Sequence, residues 1–307
     1  MLKAYSYIEA EYLDVGILDE HLFENEKQII LEFVNSNPTP MLETPCVVCG
    51  GAASRFAVVN GVLYQRCGGC LSIFARVERE TAERYAAYKP LANFRDSPEY
   101  QGSAAEKRAG IWDEMLFWIS YRLARYMPDK SRHDIIDVGN RYHALAEKIA
   151  RAGFCASYNE GETAGVVLYL DQLRGQADPM GALLKLRGML KDGGLLIMSA
   201  RAGSGFDILT LKGCTENIFP YETIFLPSIE GLSTILRDAG FDILEISTPG
   251  ALDIERVLKF KDKIDPGDFF VHYLLNKTDR SVLAEFQHFL QKSGISSYAR
   301  VIARKKP

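Results

Sequence analysis

Leu190-Lys191-Asp192-Gly193-Gly194-Leu195-Leu196-Ile197-Met198-Ser199 is the stretch that decides the fold class. Its Gly-Gly pair marks a turn, because glycine reaches backbone angles closed to other residues, and an apolar run of strand length begins immediately after it. A helical pattern from Pro179 to Leu190 precedes the turn. Helix, glycine turn and buried strand together form the repeating unit of a sheet covered by helices. Working outward, apolar runs of the same kind stand at Asp134 to Val138, Val166 to Leu170, Phe241 to Ile246 and Tyr298 to Ala303. Helical patterns separate them at Tyr142 to Ala152, Ser228 to Ala239 and Arg280 to Lys292. Residues 131–307 are therefore expected to form a mostly parallel, doubly wound α/β sheet.

The first 130 residues read differently. A helix is expected from Asp19 to Val34, halted by Asn35-Ser36-Asn37-Pro38. Two Cys-x-x-Cys pairs follow, Cys46 with Cys49 and Cys67 with Cys70, separated by residues 50 to 66. That spacing is a zinc-site spacing. Between the pairs, Arg55 to Val59 and Val62 to Arg66 are strand candidates split by Asn60-Gly61, a strong hairpin signal. The hairpin would fold two cysteine turns together so that four sulfurs surround one ion tetrahedrally. Such a closed shell leaves no position for water or substrate, which makes a structural zinc ion the expected occupant, although iron takes the same ligands. A helix followed by a linker is expected over residues 78–98, then a long helix from Ala104 to Tyr126 whose stripe of Trp112, Leu116, Ile119 and Leu123 packs a core. The chain thus divides into a helical segment at 1–44, a ribbon at 45–77, a helical linker at 78–130 and the α/β unit at 131–307.

With 36 basic and 40 acidic residues the formal charge is −4, which gives no pull toward nucleic acid or an anionic membrane. No uncharged apolar run approaches the roughly 18 residues of a membrane span. The N-terminus lacks the pattern of a signal peptide, and paired cysteines used for metal suit a reducing compartment. A cytoplasmic protein is expected.

Taken in order, Cys46-Val47-Val48-Cys49-Gly50, Asp137-Val138-Gly139, Leu190-Lys191-Asp192-Gly193-Gly194, Asn217-Ile218-Phe219-Pro220 and Asp238-Ala239-Gly240-Phe241 resemble a known pattern. It is that of class I S-adenosylmethionine (SAM)-dependent methyltransferases with an N-terminal zinc ribbon, a group that includes sugar and natural-product methyltransferases. The resemblance covers roughly residues 45 to 306. It implies a Rossmann-like sheet, SAM as cofactor, and cofactor contacts at Asp137, Gly139, Glu160 and Asp171. The chain departs from the family where Arg141 and His143 replace the later glycines of the Asp-x-Gly-x-Gly-x-Gly turn. It departs again where only residues 161–164 separate Glu160 from the next apolar run, so that a helix, a strand and a second helix are missing and the sheet is shortened.

Two readings compete. In the first, the cofactor site is degraded and the protein is a non-catalytic or repurposed homologue, a partner or assembly subunit beside a protein such as an intact methyltransferase. In the second, it is an active SAM-dependent methyltransferase on a sugar or other small molecule, with atypical cofactor binding. A third use of the scaffold would employ Arg141 or His143 for an anionic ligand or proton transfer. His143, Tyr221 and Glu222 are the catalytic candidates, expected near Asp137 at one sheet edge. The loop Ala202-Gly203-Ser204-Gly205 either lines a pocket there or is a flexible connection.

Overall fold

A computed structural model describes residues 20–38, 43–129, 134–138, 155–157 and 163–307. The expected helix at Tyr142 to Ala152 lies outside these residues, as do Gly139, Arg141, His143 and Glu160.

After helix α1 (Glu20–Ser36), strands β1 (Ala53–Val59) and β2 (Val62–Cys67) form the expected hairpin. Val59 faces Val62 across a two-residue turn in which Asn60 and Gly61 take φ of 50° and 83°, the two positive values that such a turn demands. A short strand β3 (Ile73–Ala75) adds to the hairpin. Residues 78–98 hold two helices where one helix and a linker were expected, α2 (Arg79–Ala86) and α3 (Lys89–Arg95). Pro90 sits at the start of α3, where its missing N–H costs nothing. Helix α4 (Pro98–Tyr126) begins earlier than expected for the same reason, with Pro98 in its first turn and the Ser97 side chain accepting from the Tyr100 N–H.

The α/β unit comprises β4 (Asp134–Asp137), β5 (Cys155–Ser157), β6 (Ala164–Leu170), α5 (Pro179–Gly188), β7 (Leu190–Arg201), α6 (Phe206–Leu211), β8 (Phe225–Leu226), α7 (Ile229–Asp238), β9 (Phe241–Ser247), α8 (Asp253–Lys259), α9 (Phe269–Lys277), α10 (Arg280–Lys292) and β10 (Tyr298–Lys305). Its six-stranded sheet runs β5-β4-β6-β7-β10-β9. β4 is parallel to β5 and β6, and β6 to β7, whereas β10 is antiparallel to both of its neighbours. Helices cover both faces, as a doubly wound sheet requires. Leu183 and Leu186 of α5 and Leu232, Ile235 and Leu236 of α7 pack on one face. Met115, Trp118, Ile119 and Leu123 of α4 pack on the other.

Strand β8 belongs to the other sheet. The ribbon's strand order is β1-β2-β3-β8, so its fourth strand comes from the α/β segment of the chain. Ile73 faces Leu226 and Phe74 faces Phe225, and Cys46, Cys67, Cys70 and Phe74 share one buried cluster with α5, α7 and the large sheet. Among the described residues no helix is long and apolar enough to cross a membrane.

α4 is tied to its face by charge as well as by apolar contact. Arg122 Nη2 lies 2.7 Å from Glu245 Oε1 with both side chains nearly sealed from water, and the Tyr126 hydroxyl donates to the second carboxylate oxygen at 3.1 Å. Removing one member of a buried pair strands the other charge in the interior. Glu245→Ala is accordingly expected to lower the unfolding free energy by about 3–5 kcal/mol in a urea titration. Asp242→Ala, which loses an exposed pair with Lys306 at 3.6 Å, should leave it near the wild-type value.

Candidate functional site

Cys46 and Cys49 stand on one tight turn, Cys67 and Cys70 on another, and the β1–β2 hairpin brings the turns together. The four sulfurs lie within 4.8 Å of one another, with Cys46 Sγ and Cys49 Sγ each 3.5 Å from a sulfur of the opposite turn, Cys70 and Cys67 respectively. Backbone N–H groups point at them: Val48 donates to Cys46 Sγ, and Gly69 and Cys70 donate to Cys67 Sγ. Gly50 takes a φ of 67°, which closes the first turn.

Burial pushes the Cys46 and Cys70 thiols above their ordinary range. Burial also opposes ionisation of Cys67, but the N–H groups of Cys70 and Gly69 outweigh it and hold that thiol low. Four sulfurs this close cannot all be thiolates without a cation among them, and a divalent ion supplies the compensating charge. The donor set therefore fits a tetrahedral, four-sulfur metal centre, and it has no fifth position for chemistry.

The four-cysteine cluster is joined to the carboxyl end of the large sheet. Ser228 donates through its hydroxyl to the Cys70 carbonyl oxygen, and its backbone N–H donates to Ser72 Oγ at 3.2 Å. The Tyr64 hydroxyl donates to the Thr223 carbonyl at 2.9 Å. Ile224 then links the two sheets, since its carbonyl accepts from Ala75 N of β3 while its N–H donates to the Arg174 carbonyl just beyond β6. The Ala202-Gly203-Ser204-Gly205 loop packs against the same segment: Gly203 N donates to the Pro227 carbonyl at 2.8 Å, and a Cβ at Gly203 would stand 2.6 Å from the Leu226 carbonyl oxygen. Gly203 is the contact that lets loop and strand meet.

Tyr221 and Glu222 lie on the ribbon side of this junction. The Tyr221 hydroxyl donates to the Asn37 carbonyl at 2.8 Å, and its ring packs on Phe33 and Tyr85. Glu222 accepts from the Tyr85 hydroxyl at 3.0 Å and pairs with Arg95, which also holds Glu26 of α1. Both side chains thus fasten helices α1 to α3 onto the ribbon.

At the carboxyl ends of the strands, the face beneath α4 changes from apolar to polar. Leu168, Ile197 and Ile302 stand in register with Asp137 and Glu245. One row further on come Leu170, Ser199, Arg300 and Ser247, and beyond them Arg201 opposite Tyr298. Arg300 is held by Glu114 at 2.8 Å and lies over the Trp118 ring. Asp171, in a left-handed conformation just past β6, pairs with Arg174 at 3.3 Å and faces Arg201 at 3.9 Å. Arg201 also donates to Asn217, whose amide holds the buried Asp207. Period-two polar residues ending otherwise apolar strands, Ser199 with Arg201, Tyr298 with Arg300 and Glu245 with Ser247, are the sequence signal for this tier.

Asp137 differs from these ion-paired groups. It is buried, its Oδ2 meets no hydrogen-bond donor among the described residues, and burial pushes its carboxyl up to about 6. The atom is an open acceptor at the end of a central strand, where open α/β sheets bind their ligands.

No family model matches the chain, and no curated protein does. Solved structures do. A SAM-dependent methyltransferase from Archaeoglobus fulgidus matches at 15% identity and TM-score 0.37, over 61% of this chain and 93% of that one. The phosphoethanolamine N-methyltransferase 2 of Haemonchus contortus, solved with S-adenosyl-L-methionine, matches at 15% identity and TM-score 0.42, over 70% of this chain and 60% of that one. A chain from the complex of a Haloferax volcanii methyltransferase activator with its proposed methyltransferase matches at 15% identity and TM-score 0.39, over 76% and 100%. The fold assignment itself rests on the strand order and directions given above.

The position of Asp137 has a measurable cost. Its native pKa lies above the unfolded value, so the fold holds the proton more tightly and this group's contribution to stability falls as pH rises from about 4 to about 6. Asp137→Asn should match wild type near the bottom of that window and exceed it by about 1–3 kcal/mol at pH 8. Urea titrations of both proteins across the window will show whether the two curves diverge with that sign.

Proposed function

We propose that this protein is a methyltransferase-type scaffold with a structural zinc centre and a dismantled cofactor end, acting as a non-catalytic binding or assembly subunit. The observation that carries this reading is the connection from β5 to β6. Both strands are parallel to β4 and flank it, so the chain must return from the carboxyl end of β5 to the amino end of β6. Only residues 158–163 are available for that return. A crossover with its own helix needs a dozen residues or more, and six residues reach at most about 21 Å. Six residues cannot supply a further strand and helix, and the resemblance places the shelf for the cofactor's adenine on that missing element. Arg141 and His143, at positions where the family turn has glycines, add bulk at the cofactor's methionine end.

A second reading, an active methyltransferase that binds SAM atypically, draws on Asp137. An acceptor left open in the interior is otherwise an expense, and a bound ligand with a donor would repay it. Calorimetric titration of the full chain with SAM separates the two. The subunit reading expects no heat of binding up to millimolar cofactor, and a micromolar dissociation constant would end it.

The zinc centre is tested independently. Elemental analysis should find one zinc per chain, and Cys70→Ser should lose the metal together with several kcal/mol of stability, because ligand binding and folding are one process at such sites. Iron in place of zinc, or a metal-free wild type of equal stability, would contradict the assignment. Zinc held by four reduced cysteines also supports a reducing, cytoplasmic setting.

A further inference from the structure

We propose, on the reading of the four cysteines as a zinc centre, that Ser72 is a positioning residue of that centre: its hydroxyl donates to the Cys70 thiolate, and the first turn of helix α7 holds it there. Leu71 takes a left-handed φ of 63° and so turns the chain back after Cys70. Ser72 Oγ then lies 3.4 Å from Cys70 Sγ, and the Ser72 carbonyl accepts from the Cys67 N–H at 2.9 Å. Ser72 and Ser228 are both fully buried, so each hydroxyl must find its partners within the protein. The Ser228 N–H donates to Ser72 Oγ at 3.2 Å and fills an acceptor position there. One proton is left on that oxygen, and a cysteine that coordinates a metal has lost its own. The bond between the two side chains must then run from the Ser72 hydroxyl to the Cys70 sulfur.

Helix α7 fixes this arrangement from the far side. Ser228 caps the helix by accepting from the Gly231 N–H at 2.8 Å, while its hydroxyl donates to the Cys70 carbonyl. Ser228 therefore grips Cys70 with its side chain and Ser72 with its backbone. Gly231 leaves the room for this: a Cβ there would stand 2.1 Å from Ser72 Oγ, but 3.2 Å from Ser228 Oγ and 3.5 Å from Ser72 Cβ. The severe conflict is with the Ser72 hydroxyl. Gly231 has no left-handed backbone to maintain, and alanine is the better helix former, so the helix itself has no need of glycine at this position. Donors to a metal-bound ligand atom fix its orientation and raise the affinity of the site.

The zinc affinity of the full chain, measured by competition with a colorimetric chelator, tests this. Ser72→Ala should bind zinc about 10- to 100-fold more weakly than wild type, the loss typical of a group that supports a metal ligand. Gly231→Ala should weaken zinc about tenfold by displacing the same hydroxyl, whereas Ser233→Ala, also on α7, should match wild type. Once Ser72→Ala has removed the oxygen, adding Gly231→Ala should cost little more, because the two changes act through one atom. In the cobalt-loaded protein, Ser72→Ala should move the sulfur-to-metal charge-transfer band to lower energy, a change that a general loss of stability does not produce. Wild-type zinc affinity in Ser72→Ala would overturn the inference, as would losses that simply add in the double variant or an unmoved cobalt band. Should Gly231→Ala fail to fold, Ser72→Ala and the cobalt band still decide. A wild type that binds no zinc would overturn the metal reading along with it.

Discussion

Two residues, Phe225 and Leu226, close the ribbon sheet, and the backbone on either side of them completes the carboxyl end of the large sheet. Everything at that end depends on this sharing. Cys70, Ser72 and β3 position β8, and β8 in turn positions the turn after β6 and the glycine loop after β7. The ribbon is consequently a wall of the candidate site and not an appendage. A metal-dependent change at the cysteines would be felt first at Arg174, Gly203 and their neighbours, through backbone hydrogen bonds with little freedom to yield.

The α4 face shows how such an end can be built without losing the fold. Its lower rows are aliphatic and give the sheet cohesion. Its upper rows hold arginines, serines, a tyrosine and carboxylates, nearly every charge being matched by an opposite one. Buried ion pairs of this kind contribute more to geometry than to net stability. Asp137 stands out against that background because, among the described residues, no hydrogen-bond donor meets its second oxygen.

Local chemistry made much of this legible in the sequence. Cysteine spacing located the two turns whose sulfurs converge, Asn60-Gly61 located the hairpin, and apolar runs located five of the strands in the large sheet, because each signal is contained within a few residues. What escaped were elements created by partners far along the chain. β3 and β8 are three and two residues long, and nothing in Ile73–Ala75 or Phe225–Leu226 announces a strand until the other is beside it. β5 was hidden by its brevity. The helices at Lys89–Arg95 and the start of α4 were masked by prolines that elsewhere end helices and here begin them. Tyr221 and Glu222 looked catalytic by residue type, yet their roles are set by Asn37, Tyr85 and Arg95, none of which is a sequence neighbour.

The placement of β10 between β7 and β9 has a temporal consequence. Residues 298–305 occupy an interior position in the sheet, hydrogen bonded on both edges. During synthesis β9 therefore has no strand to pair with until Tyr298–Lys305 follows it, and the inner edge of β7, made earlier still, stays unpaired for longer. Two strand edges wait open for a segment made after both of them, which makes closure of this half of the sheet late and cooperative.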